Sequence, residues 1–140
     1  VGDAEELWPA VLADAGREIK LLIEVNTSGE AAKHGVRPED ARALAEALAP
    51  LAGHGIIPAG LMTVGPLGAD DAANRRAFAL LRSLRDGIAG SFPEYRELSM
   101  GMSGDIESAI LEGATMVRVG SAIFGAREYG ATENQSMRPA

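Results

Sequence analysis

Two stretches near the end of the chain carry the residue types best suited to bind an anion. Residues 99–110 read Ser-Met-Gly-Met-Ser-Gly-Asp-Ile-Glu-Ser-Ala-Ile, and residues 116–125 read Met-Val-Arg-Val-Gly-Ser-Ala-Ile-Phe-Gly. Each pattern predicts a short buried strand, a glycine turn and a helix. The first turn of a helix exposes free N–H groups and the positive end of the helix dipole, which together bind phosphate. We therefore predict one phosphate pocket built from two neighbouring turns.

Four residues of these turns are the predicted phosphate ligands. Ser103 and Gly104 come from the first turn, and Gly120 and Ser121 come from the second. A serine offers its hydroxyl, and a glycine lets the backbone approach the ligand closely. In the alternative interpretation, Ser103 is an ordinary helix N-cap and the second turn serves only the geometry of the fold.

Arg118 lies between two valines of an apolar strand, where a charged side chain needs a partner. In one interpretation that partner is Glu24, which lies on another predicted strand and would form a structural ion pair with Arg118. Asp105 and Glu107 are interpreted as acids of a first helical turn, favoured by the helix dipole. We assign them no acid–base role.

Composition excludes several classes of function. The 140 residues fit one domain, and their 46% hydrophobic and 24% charged content is typical of globular proteins. A net charge of −7 argues against binding nucleic acid or anionic lipid. With no cysteine and only two distant histidines, we expect no disulfide, no thiol chemistry and no metal site. No membrane span or signal peptide is recognisable, so the predicted location is cytoplasmic.

Hydrophobic periodicity predicts a regular alternation of strands and helices. The predicted elements are a helix at 2–16, then strand 19–25, helix 38–49, strand 59–64, helix 70–90, strand 97–100, helix 104–112, strand 115–119 and helix 121–124. This order predicts an α/β fold with a parallel sheet and helices on its outside. Ligands of such folds bind at the carboxyl ends of the strands. The tail after Tyr129 lacks periodicity and is predicted to be flexible.

The sequence closely resembles the C-terminal half of the pyridoxal 5′-phosphate homeostasis proteins. These belong with the alanine racemase N-terminal-domain-like, fold-type III vitamin B6 proteins. The resemblance covers residues from about 19 to 129, and it is specific because all of its motifs occur in one order. The matching stretches are Val-Asn-Thr-Ser-Gly-Glu at 25–30 with Lys33 and Gly35, Gly-Leu-Met-Thr at 60–63, residues 98–105 and residues 117–127.

The resemblance implies a parallel (β/α) barrel, of which this chain holds the last four β/α units. Residues 1–130 would form half of a cofactor-binding barrel, and residues 131–140 would be a flexible tail. The family's cofactor lysine lies on its first strand, and a glycine–glutamate–asparagine motif lies on its second. Neither strand is represented here. The chain starts at Val1 without an initiator methionine, which indicates a fragment or an engineered piece of a longer protein.

The resemblance also implies roles for individual side chains. Arg118 would face the pyridine nitrogen of the cofactor and keep it unprotonated, which weakens the ring as an electron sink. Met62 would pack near the ring, with plain core packing as the alternative. Glu24, Asn26 and Lys33 could line the mouth of the pocket, although a solvated loop explains Lys33 equally well. The implied cofactor-binding set is Met62, Ser103, Gly104, Arg118, Gly120 and Ser121.

The function implied by the resemblance is that of a non-catalytic pyridoxal phosphate carrier of vitamin B6 homeostasis. We expect the cofactor to bind weakly and without a covalent link. Of the chain's two lysines, Lys20 lies at the start of a strand, away from the carboxyl end where the pocket is predicted, and Lys33 lies in a loop. The alternatives are a fragment of a racemase or decarboxylase-type enzyme, a general phosphate-binding half-barrel, and an inert fragment.

The predicted sheet leaves strands 19–25 and 115–119 as its edges. Unpaired apolar edges favour pairing with another chain, so we expect self-association or pairing with a missing half-barrel. Two copies could close an eight-stranded barrel around a two-fold axis, and domain swapping of the long helix is the alternative.

Overall fold

A computed structural model describes residues 16–125, in which four strands form one parallel sheet. The strands are β1 (Ile19–Glu24), β2 (Ile56–Met62), β3 (Glu97–Met102) and β4 (Met116–Arg118). Their spatial order is β1-β2-β3-β4. This confirms the predicted parallel sheet and its two predicted edge strands. The predicted helix at 2–16 lies outside the described residues except for Gly16, and the predicted tail lies wholly outside them.

A helix follows each strand, which confirms the predicted alternation. The helices are α1 (Ala41–Leu48), α2 (Asp71–Ala89), α3 (Ile106–Leu111) and α4 (Ser121–Phe124). Short 3₁₀ turns at Pro38–Asp40 and Ala49–Leu51 flank α1. No helix within residues 16–125 is both long enough and apolar enough to cross a membrane.

The longest helix, α2, has clear start and stop signals. The carboxylate of Asp70 accepts a hydrogen bond from the N–H of Ala73 at 2.8 Å, and Gly90 closes the other end. Phe78, Leu81 and Ile88 are buried along one face. This amphipathic pattern is visible in the sequence, so the predicted and observed limits differ by one residue at each end.

The two faces of the sheet differ in character. Ile23, Leu61 and Leu98 share one register row and belong to the core beneath the helices. Burying such a side chain contributes roughly 1.5–3 kcal/mol. Because successive strand residues point to opposite faces, the next row lies on the inner face, away from the helices. That row contains Glu24, Met62, Ser99 and Met116.

The predicted limits of the second strand, 59–64, are wrong. The strand starts at Ile56, which pairs with Ile19, and it ends at Met62. The register shifts after Pro58, and such an irregularity accommodates a proline within a sheet. A proline by itself favours a strand boundary. The non-local pairing with β1 nevertheless keeps Pro58 inside the strand.

The turn after β3 also differs from the prediction. The strand continues to Met102 instead of ending at 100, and α3 covers Ile106–Leu111 instead of 104–112. Gly101 has a φ of +94°, and a Cβ at this position would lie 2.5 Å from the Cβ of Ala109. The glycine therefore lets the chain turn closely under α3. The predicted strand at 115–119 is shorter, since β4 spans only Met116–Arg118.

Candidate functional site

The predicted ligand-binding residues lie at the carboxyl edge of the sheet. Met62 is the last residue of β2, and Arg118 is the last residue of β4. The turn after β3 contains Ser103 and Gly104, while Gly120 and Ser121 begin α4. Parallel strands bring their carboxyl ends to one edge, so residues from separate stretches of the sequence lie near each other.

A hydrogen bond joins the two glycine turns. The backbone N–H of Ala122, in the first turn of α4, donates to Oγ of Ser103 at 3.2 Å. Ser103 therefore caps the helix of the neighbouring unit. The alternative that Ser103 is the N-cap of its own helix, α3, is wrong. Asp105 occupies that position, and its carboxylate accepts the N–H of Met102 at 2.6 Å.

We call Ser103, Gly104, Gly120 and Ser121 the cradle. Within residues 16–125, the N–H groups of Gly104 and Ser121 donate to no protein acceptor. A Cβ added at Gly104 or Gly120 would meet no heavy atom within 4 Å, so the space beside both glycines is open. Helices α3 and α4 have only six and four residues, which makes their dipoles small. An anion here would depend on individual N–H groups and on the Ser103 hydroxyl.

Arg118 is held at the same edge by neutral partners. Its Nη1 donates to Oγ of Ser99 at 2.6 Å, and its Nη2 donates to the backbone oxygen of Thr63 at 2.9 Å. Ser99 and Thr63 are both buried. The hydroxyl of Thr63 donates in turn to the backbone oxygen of Val25 at 2.7 Å and lies 2.9 Å from Oγ1 of Thr27. This network links β3 and β4 to the segments that follow β1 and β2.

The alternative of an ion pair between Arg118 and Glu24 is wrong. Within residues 16–125, Arg118 has no carboxylate partner within 4.0 Å. Glu24 lies on β1, the outer strand on the other side of the sheet from β4. The guanidinium keeps its full charge and further N–H donors. Our sequence analysis missed Ser99 and Thr63 as its partners. The signal for Ser99 was a hydroxyl side chain within an apolar strand, whereas Thr63 accepts through its backbone oxygen, for which the residue type gives no signal.

The residues predicted for the pocket mouth line one cavity. A space of about 200 Å³ lies beside the carboxyl end of β1. Its walls are formed by Glu24, Val25, Asn26, Ala32, Lys33, His34, Thr63 and Val64. Glu24, Asn26 and Lys33 therefore share one opening, but none of the predicted cofactor-binding residues lines it, so their place at the mouth of a cofactor pocket stays a prediction.

Lys33 is not the solvated loop residue that the sequence also allowed. Its Nζ donates to the backbone oxygen of Gly65 at 2.5 Å and lies 3.1 Å from the Glu30 carboxylate. Its side chain is only 20% exposed. The hydrogen bond from Lys33 is the main cause that lowers the pKa of Glu30, and the N–H of Leu67 adds to it at 3.3 Å. Through these contacts, Lys33 and Glu30 in the loop after β1 bind Gly65 and Leu67 in the loop after β2.

The other lysine lies far from the cradle. Lys20 is near the start of β1, and its side chain is 67% exposed. Its Nζ lies 4.0 Å from the carboxylate of Glu97, the first residue of β3. This contact is at the opposite end of the sheet from the cradle. Within residues 16–125, no group of three or more histidine, cysteine, aspartate or glutamate side chains could hold a metal ion.

Comparison with known sequences identifies a family. The family described as alanine racemase, N-terminal domain, matches residues 2–128. Proteins named pyridoxal phosphate homeostasis protein are similar to the chain. The one from Vibrio cholerae is 43% identical over 111 residues, which is 79% of this chain and 46% of the relative. The one from Pseudomonas aeruginosa is 48% identical over 113 residues, or 81% and 47%. The human one is 39% identical over 115 residues, or 79% and 42%.

Solved structures share the fold. A structure titled as an unknown protein from Bifidobacterium adolescentis has a TM-score of 0.75 and 44% identity, covering 83% of this chain and 47% of that one. PipY from Synechococcus elongatus, in a structure titled as having PLP bound, has a TM-score of 0.71 and 35% identity, covering 84% and 54%. The chain thus spans about half the length of the relatives it matches. Its four β/α units correspond to part of a (β/α) barrel.

Proposed function

The chain belongs to the alanine racemase N-terminal domain family, and on this basis we propose that it binds pyridoxal 5′-phosphate without a covalent link and acts as a non-catalytic carrier in vitamin B6 homeostasis. The observation that carries this proposal is the hydrogen bond between Ser103 and Ala122. It brings the two turns that we predict to bind an anion together at the carboxyl end of the sheet, where Arg118 ends β4. The PLP-bound relative supports the choice of ligand.

The described residues fit the two ends of this cofactor. The cradle would hold the phosphate through its free N–H groups and the Ser103 hydroxyl, whose proton remains available to a ligand oxygen. Arg118 would face the ring nitrogen, and Met62 would pack beside the ring. When bound, the cofactor supplies an aldehyde that reacts with amines and a ring that accepts electron density. A permanent cation at the ring nitrogen would disfavour its protonation and so make the ring a weaker electron sink.

The proposal that the protein is non-catalytic rests on the positions and hydrogen-bond partners of its two lysines and of Asp105. Lys20 lies at the wrong end of the sheet, and the ammonium of Lys33 is engaged by Gly65 and Glu30. The Asp105 carboxylate, the acid next to the cradle in sequence, already accepts the N–H of Met102. No described side chain near the cradle is therefore poised to move a proton on a substrate.

The expected affinity is modest. Hydrogen bonds to charged groups contribute roughly 1.5–3 kcal/mol each, and ordering the ligand offsets part of that gain. Without a covalent link we expect a dissociation constant in the micromolar to millimolar range. This corresponds to a binding free energy on the order of −4 to −8 kcal/mol.

Calorimetric titration tests the ligand. Pyridoxal phosphate should bind, phosphate or sulfate should compete with it, and unphosphorylated pyridoxal should bind much more weakly. Ser103→Asp should abolish binding because it places a like charge in the cradle. Ser83→Asp, at an exposed serine of α2, is the matched control and should bind normally. Equal binding of pyridoxal and its phosphate, or normal binding by Ser103→Asp, would show that the turns serve only the architecture of the fold.

A separate assay tests the carrier role. With added pyridoxal phosphate, the protein should racemise or decarboxylate amino acids no faster than the free cofactor does. Turnover above that background, lost in Ser103→Asp, would overturn the non-catalytic role while leaving the binding proposal intact.

A further inference from the structure

The turn after β3 is closed from both directions by its two end residues. The N–H of Asp105 donates to the backbone oxygen of Met102 at 3.2 Å, and the N–H of Met102 donates to Oδ1 of Asp105 at 2.6 Å. Two hydrogen bonds therefore span residues 102–105. The second one is charge-assisted, because its acceptor is a carboxylate oxygen, and such bonds are the stronger kind.

The tip of this turn is half of the cradle, since Ser103 and Gly104 lie between the two end residues. Oγ of Ser103 accepts the N–H of Ala122, and the N–H of Gly104 donates to no acceptor within residues 16–125. A glycine leaves its own backbone free to adopt many conformations. The bonds of Asp105 restrict the tip to the conformation in which Ser103 reaches α4.

The other carboxylate oxygen of Asp105 packs against the loop after β2. A Cβ added at Gly65 would lie 2.6 Å from Oδ2 of Asp105 and 3.3 Å from Oδ1 of Asn74. Asn74 is only 5% exposed, and its Oδ1 has no hydrogen-bond partner among residues 16–125. The carboxylate is thus held in place beside a buried acceptor that lacks a donor.

The charge of Asp105 has no ion-pair partner in the described part of the chain. No lysine, arginine or histidine of residues 16–125 lies within 4.0 Å of its carboxylate. Gly104 and Asp105 line one cavity of about 350 Å³ that Lys33 also borders, but the ammonium of Lys33 already pairs with Glu30. The carboxylate therefore repels an anion bound at the cradle.

We propose that Asp105 is a positioning residue of the cradle and acts in two opposite ways. Its Oδ1 shapes the turn that holds the phosphate, and its negative charge limits how tightly the phosphate is held. This role rests on the proposed function, which puts the phosphate of the ligand at the cradle. A carrier has to release its cargo, and a fixed carboxylate beside the phosphate lowers the affinity without loosening the turn.

Asp105→Asn separates the charge from the hydrogen bond. The amide keeps an oxygen that accepts the N–H of Met102, and its NH₂ group comes to lie near the unpartnered oxygen of Asn74. Calorimetric titration should show pyridoxal phosphate and inorganic phosphate binding about threefold more tightly than to the natural sequence. The gain should shrink as sodium chloride is added, because salt screens charge. Unchanged or weaker binding would overturn the role of the charge.

Asp105→Ala isolates the hydrogen bond when it is compared with Asp105→Asn. Both variants lack the charge and only the alanine lacks the acceptor, so it should bind about fivefold more weakly than the asparagine variant. Glu107→Gln is the matched control, because it removes one negative charge at an exposed position of α3, and it should gain much less affinity. Equal binding by the two Asp105 variants, or an equal gain in Glu107→Gln, would overturn the proposal.

Amide hydrogen exchange measures the turn without any ligand. The N–H groups of Met102 and Ala122 should be protected in the natural sequence and in Asp105→Asn, and should exchange about fivefold faster in Asp105→Ala. If no variant binds phosphate but residue 105 controls these amides, the proposed function and the effect of the charge fail, while the positioning of the turn stands. If the natural sequence binds pyridoxal phosphate and the amides do not respond to residue 105, the proposed role of Asp105 alone fails.

Discussion

The guanidinium of Arg118 donates to the hydroxyl of Ser99 across 2.6 Å, so a cation on the last strand is held by a neutral side chain on the strand beside it. Ser99 is buried, and Thr63 supplies the second acceptor. No carboxylate among the described residues neutralises the charge, which leaves it available to a ligand. The network also fixes the position of the guanidinium before a ligand arrives.

Arg118→Ala should chiefly weaken recognition of the cofactor ring. We expect at least about a tenfold loss of affinity for pyridoxal phosphate, the size of one hydrogen bond to a charged group, with little change for inorganic phosphate. Ser99→Ala should give a smaller loss, because it frees the guanidinium without removing it. Calorimetric titration with both ligands measures this difference. Arg42→Ala, on the surface of α1, is the control, and an equal loss for both ligands would place Arg118 at the phosphate instead.

Pyridoxal phosphate should form no stoichiometric covalent link with the chain. The Lys33 ammonium is engaged by Gly65 and Glu30, and Lys20 lies at the far end of the sheet. The measurement is incubation with the cofactor, reduction with borohydride and determination of the intact mass. Lys33→Met serves as the reference protein. One cofactor per chain, localised to Lys33 and missing from that reference, would contradict our assignment.

Glu112 should be the electrostatic anchor between α2 and α3. Its carboxylate is 7% exposed and lies 2.6 Å from Nη2 of Arg75 and 2.9 Å from Nη1 of Arg82. The two arginines are seven residues apart and so lie on one face of α2. Removing both, as Arg75→Met with Arg82→Met, leaves a buried carboxylate unpaired and should cost about 3 kcal/mol of unfolding free energy.

Glu112→Gln should cost less than that double variant, because it removes the buried charge itself and leaves two arginines that are half exposed. Urea unfolding measures both free energies. Arg76→Met, at an exposed residue of the same helix, should unfold like the natural sequence. A larger loss in Glu112→Gln than in the double variant would show that the carboxylate contributes through its hydrogen bonds rather than its charge.

Tyr95 should make the protein sensitive to high pH. Its buried hydroxyl has no hydrogen-bond partner among residues 16–125, and burial, with the nearby Glu94 carboxylate, raises the pKa of Tyr95 to about 12. The unfolded chain loses this proton near pH 10. The folded state holds the proton more tightly, so stability is unaffected below about pH 10 and falls as the pH rises from there toward 12.

Tyr95→Phe should remove this dependence and raise the stability at neutral pH by about 1 kcal/mol, because it deletes an unpaired buried hydroxyl. Thermal unfolding at pH 7 and at pH 11 measures both effects. Tyr95→Leu controls for loss of the ring and should be destabilised at both values. A Tyr95→Phe variant less stable at neutral pH would mean that the hydroxyl has a partner in solution.

Much of this protein could be predicted from its sequence because the deciding signals are local. Strands rich in branched apolar residues, an amphipathic α2 and glycine turns at fixed positions are properties of a few consecutive residues. They determined the parallel alternation of strands and helices, the two edge strands and the carboxyl edge where Ser103, Gly104, Gly120 and Ser121 lie. The family followed from motifs of the same local kind.

Only the tertiary structure decided which side chains contact each other. Ser103 caps α4 instead of α3, Arg118 bonds to Ser99 and Thr63 instead of Glu24, and Lys33 reaches Gly65. The partners in these four contacts are 19, 19, 55 and 32 residues apart in the chain. Their distances depend on the register between neighbouring strands, which arises from backbone pairing along the whole sheet. The same pairing places β2 at Ile56–Met62 instead of the predicted 59–64. The register between strands therefore determines the position of both the strand and the site, and no single stretch of sequence encodes that register.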